Sequence, residues 1–543
     1  MSPSCLRQSI GILLAIVFAA GAGAAATATN TVPAKTGPHA AEDRAAADFF
    51  AGPIESFVVD LPAGSLESLR TDARKTVPAT VRVGGVRYDS VGVHVKGSAG
   101  SRRGIDDNPA LTLSFSKFKP GQLFHGLKKI HLNNSVQDDS RMNELIATAV
   151  YHQAGIPVSR VTHGLVTING HDHGLYVIKE GFDKFWLRRN FPDATGNLYD
   201  GGFLQDVDND LERDEGTGPD DHKDLRALAE AADTHDLKAR REALGKLLDL
   251  DQFITYWAIQ NLLCDWDGYI YNRNNYRLYH EPRSGRFTFV PHGMDQMFHD
   301  VGFRLDQGAT GLVARQVQEL SGFRDRYFDR VEAVLTNTFT TNLVTQVFAD
   351  ARLRLKPALV KRSAQEWAQF DQTMTGAESR VLTRLNLARQ QTISRPRPLK
   401  FNAEGVAVVT GWAPRTENGR TTSDWGVAAD GTKALILEAV EVGTTASWRK
   451  RLRLPAGNYV FEARVRCERL KSRSDAQGAG VGLRVTGRKR TNALEHDTDW
   501  TVLTEPIQAD GERASELIVE LRADAGKLWI DQGSLRLRRV VEK

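Results

Sequence analysis

The chain has 543 residues, 41% of them hydrophobic, and a formal net charge of +4. That length predicts several domains, and near-neutrality over so long a chain argues against a nucleic-acid or membrane-surface partner. Of the three cysteines, Cys5, Cys264 and Cys467, the first lies in a leader and the others lie far apart, which excludes a disulfide framework and a cysteine-built zinc site. Arg7, the apolar run from Ile10 to Ala20 and the small-residue string that follows predict a secretory signal peptide over residues 1–25. The run is too short for a comfortable bilayer span. Residues 26–52, rich in Ala, Thr, Pro and charge, predict a flexible leader.

From Ile54 the pattern turns to strands: FVVDL, then TVRVGGVRYDSVGVHVKG with a turn at Gly84–Gly85, then ALTLSFSKF and LKKIHLNN. A helix is expected from Asp139 to Ala154, stopped by Gly155 and Pro157. VTHGLVTING and HGLYVIKE predict a hairpin turning at Asn169–Gly170. Beyond Leu198 an acidic loop, DVDNDLERDEG, leads into helical patterns at Asp221–Thr234, His235–Leu248 and Asp251–Leu263, with long helices between Gly311 and Ser394. The acidic loop fails as an EF-hand, because Leu211 and Thr217 stand where glycine and glutamate are needed. After a break at Pro396–Pro398, short alternating segments from Phe401 to Val540 predict a separate β-sandwich. The expected class is α+β: a β-rich part, a helical part and the sandwich.

The most informative stretch runs from Asp265 to Phe298. It predicts a loop bearing Asp267 and several asparagines, then strands at Asn275–His280 and Phe287–Pro291, and it leads to Asp295. Two carboxylates and an amide at the ends of a hairpin suit a divalent-metal and general-base site, as phosphoryl transfer requires. No G-x-S-x-G, H-E-x-x-H or G-x-x-x-x-G-K-[ST] motif occurs, so hydrolase and Walker-type chemistry lack support.

Residues from about Ile54 to Ser394 resemble the CotH kinase family. The matching motifs are HVKGSAGSR, FSKF, FHGLKKIHLNNSVQDDSRMNELIA, GIPVSR, VTINGHDHGLYVIKE, GNLYDGG, LDLDQFITYW, DWDGY, NNYRLY and FVPHGMDQMF. The resemblance implies an atypical protein-kinase-like two-lobe domain over residues 53–397. It further implies transfer of phosphate from ATP, with Mg2+ or Mn2+, to Ser/Thr hydroxyls of a protein outside the cytoplasm. By analogy with kinases, Lys129 (or Lys128) pairs with Glu144 on the following helix, Lys96 competes for the phosphates, and Glu180 lies near the adenine. Asp267 takes the catalytic role and Asp295 the metal role. Asn272 has ordinary kinase spacing from Asp267, whereas Asn275 immediately precedes its strand and is favoured as the second metal ligand. Asp265 ranks below Asp267.

The chain departs from the family pattern in two places. Where many members carry PWD-x-D, this chain reads PHGMD, so Gly293 replaces an aspartate and His292 an aromatic residue. The lysine expected near Asn108–Pro109 is also absent. The sandwich, residues 400–543, carries Trp412, Trp425, Trp448, Trp500 and Trp529, which suit either a packed core or stacking on sugar rings. The alternative to a secreted kinase is therefore a non-catalytic scaffold or glycan-binding protein that keeps the kinase-like fold.

Overall fold

In the computed structural model the described residues are 39–540, apart from 99, 394–398, 476–477 and 512–513. The signal peptide, the first part of the leader and the Pro396–Pro398 break lie outside them. The chain divides into two compact units between Ile393 and Ser394.

The first unit begins with a helix, α1 (Ala40–Ala51), where a flexible leader is expected. The reason is tertiary. Phe49 and Phe50 are buried, and Phe49 packs edge-on against Phe57 and Phe124. Burying two phenylalanines stabilises a short helix whose own propensity would not hold it.

Strands β1 (Glu55–Asp60), β2 (Val77–Val83), β3 (Val86–Lys96), β4 (Ala110–Ser114), β5 (Lys129–Asn133), β6 (Val161–Ile168) and β7 (His171–Glu180) form a closed barrel in the order β1-β2-β3-β4-β5-β7-β6. Parallel pairing of β1 with β6 closes it. The two expected hairpins are present: Val83 pairs with Val86 across Gly84–Gly85, and Ile168 pairs with His171 across Asn169–Gly170. Both residues of the second turn have positive φ, which asparagine and glycine tolerate. Helix α2 (Ala63–Thr71) follows β1, and α3 (Asn143–Gln153) separates β5 from β6.

Strand alternation decides what the barrel shows to its surroundings. Val91, Val93, Val95, Leu111, Leu113, Ile130, Leu132 and Ile178 fill the interior with Phe57 and Val59. With a period of two, His94, Lys96, Thr112, Lys129, His131 and Lys179 must then point to the opposite face. Register aligns them, with His94 opposite Thr112, Thr112 opposite His131, and His131 opposite Lys179.

Helix α3 starts four residues later than expected. Asp138 accepts from the Ser140 backbone N–H and hydroxyl and from the Asn143 N–H, so a capped loop occupies the start of the predicted helix. After β7 come α4 (Lys184–Asn190), β8 (Asn197–Asp200), β9 (Glu212–Glu215), α5 (Lys223–Ala232), α6 (Leu237–Leu247) and α7 (Leu250–Leu262). Asp249 caps α7, which is buried on almost every face. The short helix α8 (Tyr269–Asn272) leads into the hairpin β10 (Tyr276–Glu281) and β11 (Arg286–Pro291), part of a four-stranded sheet ordered β11-β10-β8-β9. Helices α9 (Leu312–Gln318), α10 (Phe323–Asn337), α11 (Thr341–Arg362) and α12 (Ala364–Ile393) complete the unit. Asp206 of the acidic loop is buried, accepting from the Leu312 N–H at 2.7 Å and the Tyr269 hydroxyl at 3.0 Å. It anchors α9 and is not a solvated charge.

The second unit is all β: β12 (Val406–Val408), β13 (Ala413–Asn418), β14 (Thr421–Val427), β15 (Lys433–Ala439), β16 (Thr444–Arg453), β17 (Gly457–Ser472), β18 (Ser474–Asp475), β19 (Gly478–Val485), β20 (Thr498–Ala509), β21 (Ala514–Asp531) and β22 (Arg536–Arg539), all paired antiparallel. The first half of β21 pairs with β16 and β19, the second half with β15 and β17, so one long strand joins two groups of strands around one apolar core. Trp412 and Trp448 belong to that core, Trp500 and Trp529 are half-buried, and Trp425 is exposed. Among the described residues no helix is long and apolar enough to cross a membrane.

Candidate active site

A cleft of about 1080 Å³ in the first unit collects side chains from both its barrel and its helical part. Lys96, Lys129, His94 and His131 line it from the barrel, with Glu144 from α3. Asp267, Asn272, Asn274, Asn275, Arg277 and Asp295 line it from the loop and hairpin that follow α7. Asp265 and Glu180 do not border it.

The expected pairing of Lys129 with Glu144 is not what forms. Lys179 on β7 donates to Glu144 Oε1 at 2.5 Å, and both side chains are about 2% exposed. Lys129 instead lays its side-chain stem against Gly181, where an added Cβ would stand 2.8 Å from the Lys129 Cβ. Strand β7 lies between β5 and β6, and this order brings Lys179 beside His131 and under the first turn of α3. A lysine inside the apolar run LYVIKE is the sequence signal that marks Lys179, because lysine is almost never fully buried unpaired.

Glu180 is also corrected. Its carboxylate accepts from Arg160 Nε at 3.1 Å and Nη2 at 2.9 Å, and from both terminal nitrogens of Arg189. Burial pushes its pKa up, but Arg189 and Arg160 more than offset this and hold it below the usual range. It centres a buried ion-pair group outside the cleft.

Lys96 borders the cleft near Lys179, Glu144 and Asp295. Burial, with repulsion from Lys179, lowers its pKa to about 8, against the pull of Glu144 and Asp295. Burial, with repulsion from Glu144, raises Asp295 to about 6. The second carboxylate oxygen of Glu144 is buried and has no hydrogen-bond partner.

Asp267 is held by three amides. Asn272 Nδ2 donates to Oδ1 at 2.5 Å, Asn275 Nδ2 to Oδ2 at 2.8 Å, and Asn274 Nδ2 to both oxygens at 3.2 Å. Asn272 and Asn275 are thus not alternatives, since both orient one carboxylate, and Asn274 is a third member that the spacing argument missed. Asp265 is buried beside Gln260, whose Nε2 donates to it at 2.7 Å, and burial raises it to about 7.

The absent second aspartate has a geometric reason. Gly293 has φ +57°, and a Cβ there would stand 2.4 Å from Asn275 Oδ1. His292 is neutral, held well below its usual pKa by burial, with its ring edge-on to Phe182 at 5.3 Å.

The donor set suits a divalent cation of the magnesium type. Asp295 and the orphaned Glu144 oxygen are hard oxygen ligands facing a polar cleft, and each asparagine that spends its N–H groups on Asp267 keeps a carbonyl oxygen. Among the described residues no three His, Cys, Asp or Glu side chains gather into a ready-made metal cluster, so such an ion would take amide, water or phosphate oxygens for its remaining positions.

The family model described as CotH kinase protein matches residues 93–393. The inner spore coat protein H of Bacillus subtilis (strain 168) is 25% identical over 309 residues, covering 52% of this chain and 80% of that protein. Similar solved structures include the carbohydrate-binding module TmCBM61 in complex with beta-1,4-galactotriose (14% identity, 24% of this chain, 88% of that one, TM-score 0.18). Another is the module CBM6cm-2 from Cellvibrio mixtus lichenase 5A in complex with cellotriose (16% identity, 24% of this chain, 98% of that one, TM-score 0.16). Likeness at those scores carries no functional argument. The family match spans more than half of the chain and takes in every residue that lines the cleft except Arg74, and on that match the chain belongs to the CotH kinase family.

Proposed function

We propose that the chain is an exported, metal-dependent phosphotransferase that moves phosphate from ATP to serine or threonine hydroxyls of a protein outside the cytoplasm. The observation that carries this reading is a Glu144 that lines one cleft with Asp295 and with an Asp267 fixed by three amides, and that is held from behind by the buried Lys179. A strand lysine paired with a helix glutamate, opposite a loop aspartate and a second aspartate after a hairpin, matches the parts a two-lobed kinase uses. Export rests on the sequence of residues 1–25.

Each residue has a distinct task in this reading. Glu144 fixes Lys179, while Lys96, which among the described residues has no carboxylate hydrogen-bonded to it, reaches the phosphates. Asp295, with the amide oxygen of Asn275 or Asn272, would hold Mg2+ or Mn2+, which when bound offsets the phosphate charge. Asp267, held by its amides, accepts a hydrogen bond from the acceptor hydroxyl and orients it for in-line attack.

The test is transfer of labelled phosphate from ATP with Mn2+, to the protein itself or to a co-purified partner. Asp295→Asn and Asp267→Asn are expected to lower the rate about 100-fold or more, the scale of losing a preorganised electrostatic group. Wild-type protein that neither binds nor consumes nucleotide with any divalent metal would leave only the scaffold reading.

A further inference from the structure

The loop that carries Asp295 has little structure of its own. Its His292 N–H donates to the Asn275 carbonyl at 3.0 Å and its Phe298 N–H to the Leu263 carbonyl at 3.3 Å. Along the loop, Gly293 and Phe298 both sit at positive φ. The carbonyls of Asp295 and Met297 nevertheless have partners, because the Asn143 side chain reaches across the fold to both. Asn143 Nδ2 donates to the Asp295 oxygen at 2.8 Å and to the Met297 oxygen at 3.2 Å. Asn143 is about 5% exposed, does not border the cleft, and is itself fixed through its N–H to Asp138 Oδ2 at 2.9 Å. It is the first residue of α3, directly before Glu144. The carboxylates of Glu144 and Asp295 repel each other, Lys179 and Lys96 oppose that repulsion, and the Asn143 amide links the two backbones directly.

We infer that Asn143 is a positioning residue: its amide ties the Asp295 loop to the helix bearing Glu144 and so presets the metal-binding geometry of the cleft. This rests on the phosphotransferase reading. Residues that orient ligands from behind set metal affinity as strongly as many direct contacts, and their loss lowers it by roughly 10- to 100-fold.

The test compares full-length wild type with Asn143→Ser, which loses both donated bonds, and with the isosteric Asn143→Asp. Melting without metal reports whether each variant folds. Melting at saturating ATP over a Mn2+ series gives the metal concentration for half-maximal stabilisation, and transfer assays give kcat. Both variants are expected to melt cooperatively without metal, to need at least about tenfold more Mn2+, and to lose about tenfold or more in kcat. A folded variant whose Mn2+ midpoint and kcat stay within about twofold of wild type overturns the role of Asn143 and leaves the phosphotransferase reading standing. Wild type that shows neither Mn2+ stabilisation nor transfer overturns both.

Discussion

Replacing Lys179 with methionine isolates the buried ion pair. Both partners are about 2% exposed, and Glu144 already has one oxygen without a partner and Asp295 as an acidic neighbour. Methionine keeps most of the lysine's volume, so the loss is electrostatic, not a cavity. Breaking one side of a buried pair typically costs about 3–5 kcal/mol, because the remaining charge is left uncompensated. With a urea slope near 3 kcal/mol/M, the unfolding midpoint of the first unit should fall by roughly 1–1.7 M. The double variant Lys179→Met/Glu144→Leu removes both charges and the repulsion with Asp295, so it should recover to within about 1–2 kcal/mol of wild type. Urea unfolding of the four corners of this cycle measures the coupling. A single variant within about 1 kcal/mol of wild type, or a double variant as unstable as the sum of its parts, would refute the pairing as the organising contact of the cleft.

Two further outcomes follow from the geometry. Gly293→Asp supplies the carboxylate that the family resemblance leads one to expect there, yet it should weaken the protein by about 1–3 kcal/mol and lower any transfer rate, because φ is +57° and the new Cβ meets Asn275 Oδ1; a variant as stable as wild type and more active would contradict this. His163 is buried, and its Nε2 donates to the Arg141 carbonyl at 3.0 Å; burial, with repulsion from Arg354, depresses its pKa to about 3. The unfolded chain therefore binds the extra proton first, so this contribution to stability is present above pH 6.5 and is lost on acidification at about 1.4 kcal/mol per pH unit. Urea midpoints should fall more from pH 7 to pH 5 in wild type than in His163→Gln, by the equivalent of about 2 kcal/mol, and equal falls would exclude His163 as a source of acid lability.

Much of the fold is legible along the chain because it depends on local periodicity. Alternation in VGVHVK, ALTLS and KIHLN separates a barrel-filling face from a polar one. The Gly84–Gly85 and Asn169–Gly170 turns set hairpin registers directly. Asp249 and the apolar length of α7 mark that helix well. The α1 helix was not legible, since what holds it is contact with Phe57 and Phe124 and not its own propensity.

The sequence by itself marked Lys96, Glu144, Asp267, Asn272, Asn275 and Asp295, all of which line the cleft, but not Asn274 or the Lys179 that pairs with Glu144. Tertiary structure decided who pairs with whom. Strand order in the barrel sets Lys179, not Lys129, against Glu144, and Arg160 and Arg189 draw Glu180 out of the site. Three amides converge on Asp267 because the chain turns through positive φ at Arg273 and Asn275. Residue type and spacing follow from covalent order, whereas partnership among buried charges depends on which side chains the packed core brings within about 3 Å, where desolvation makes every unpaired charge costly.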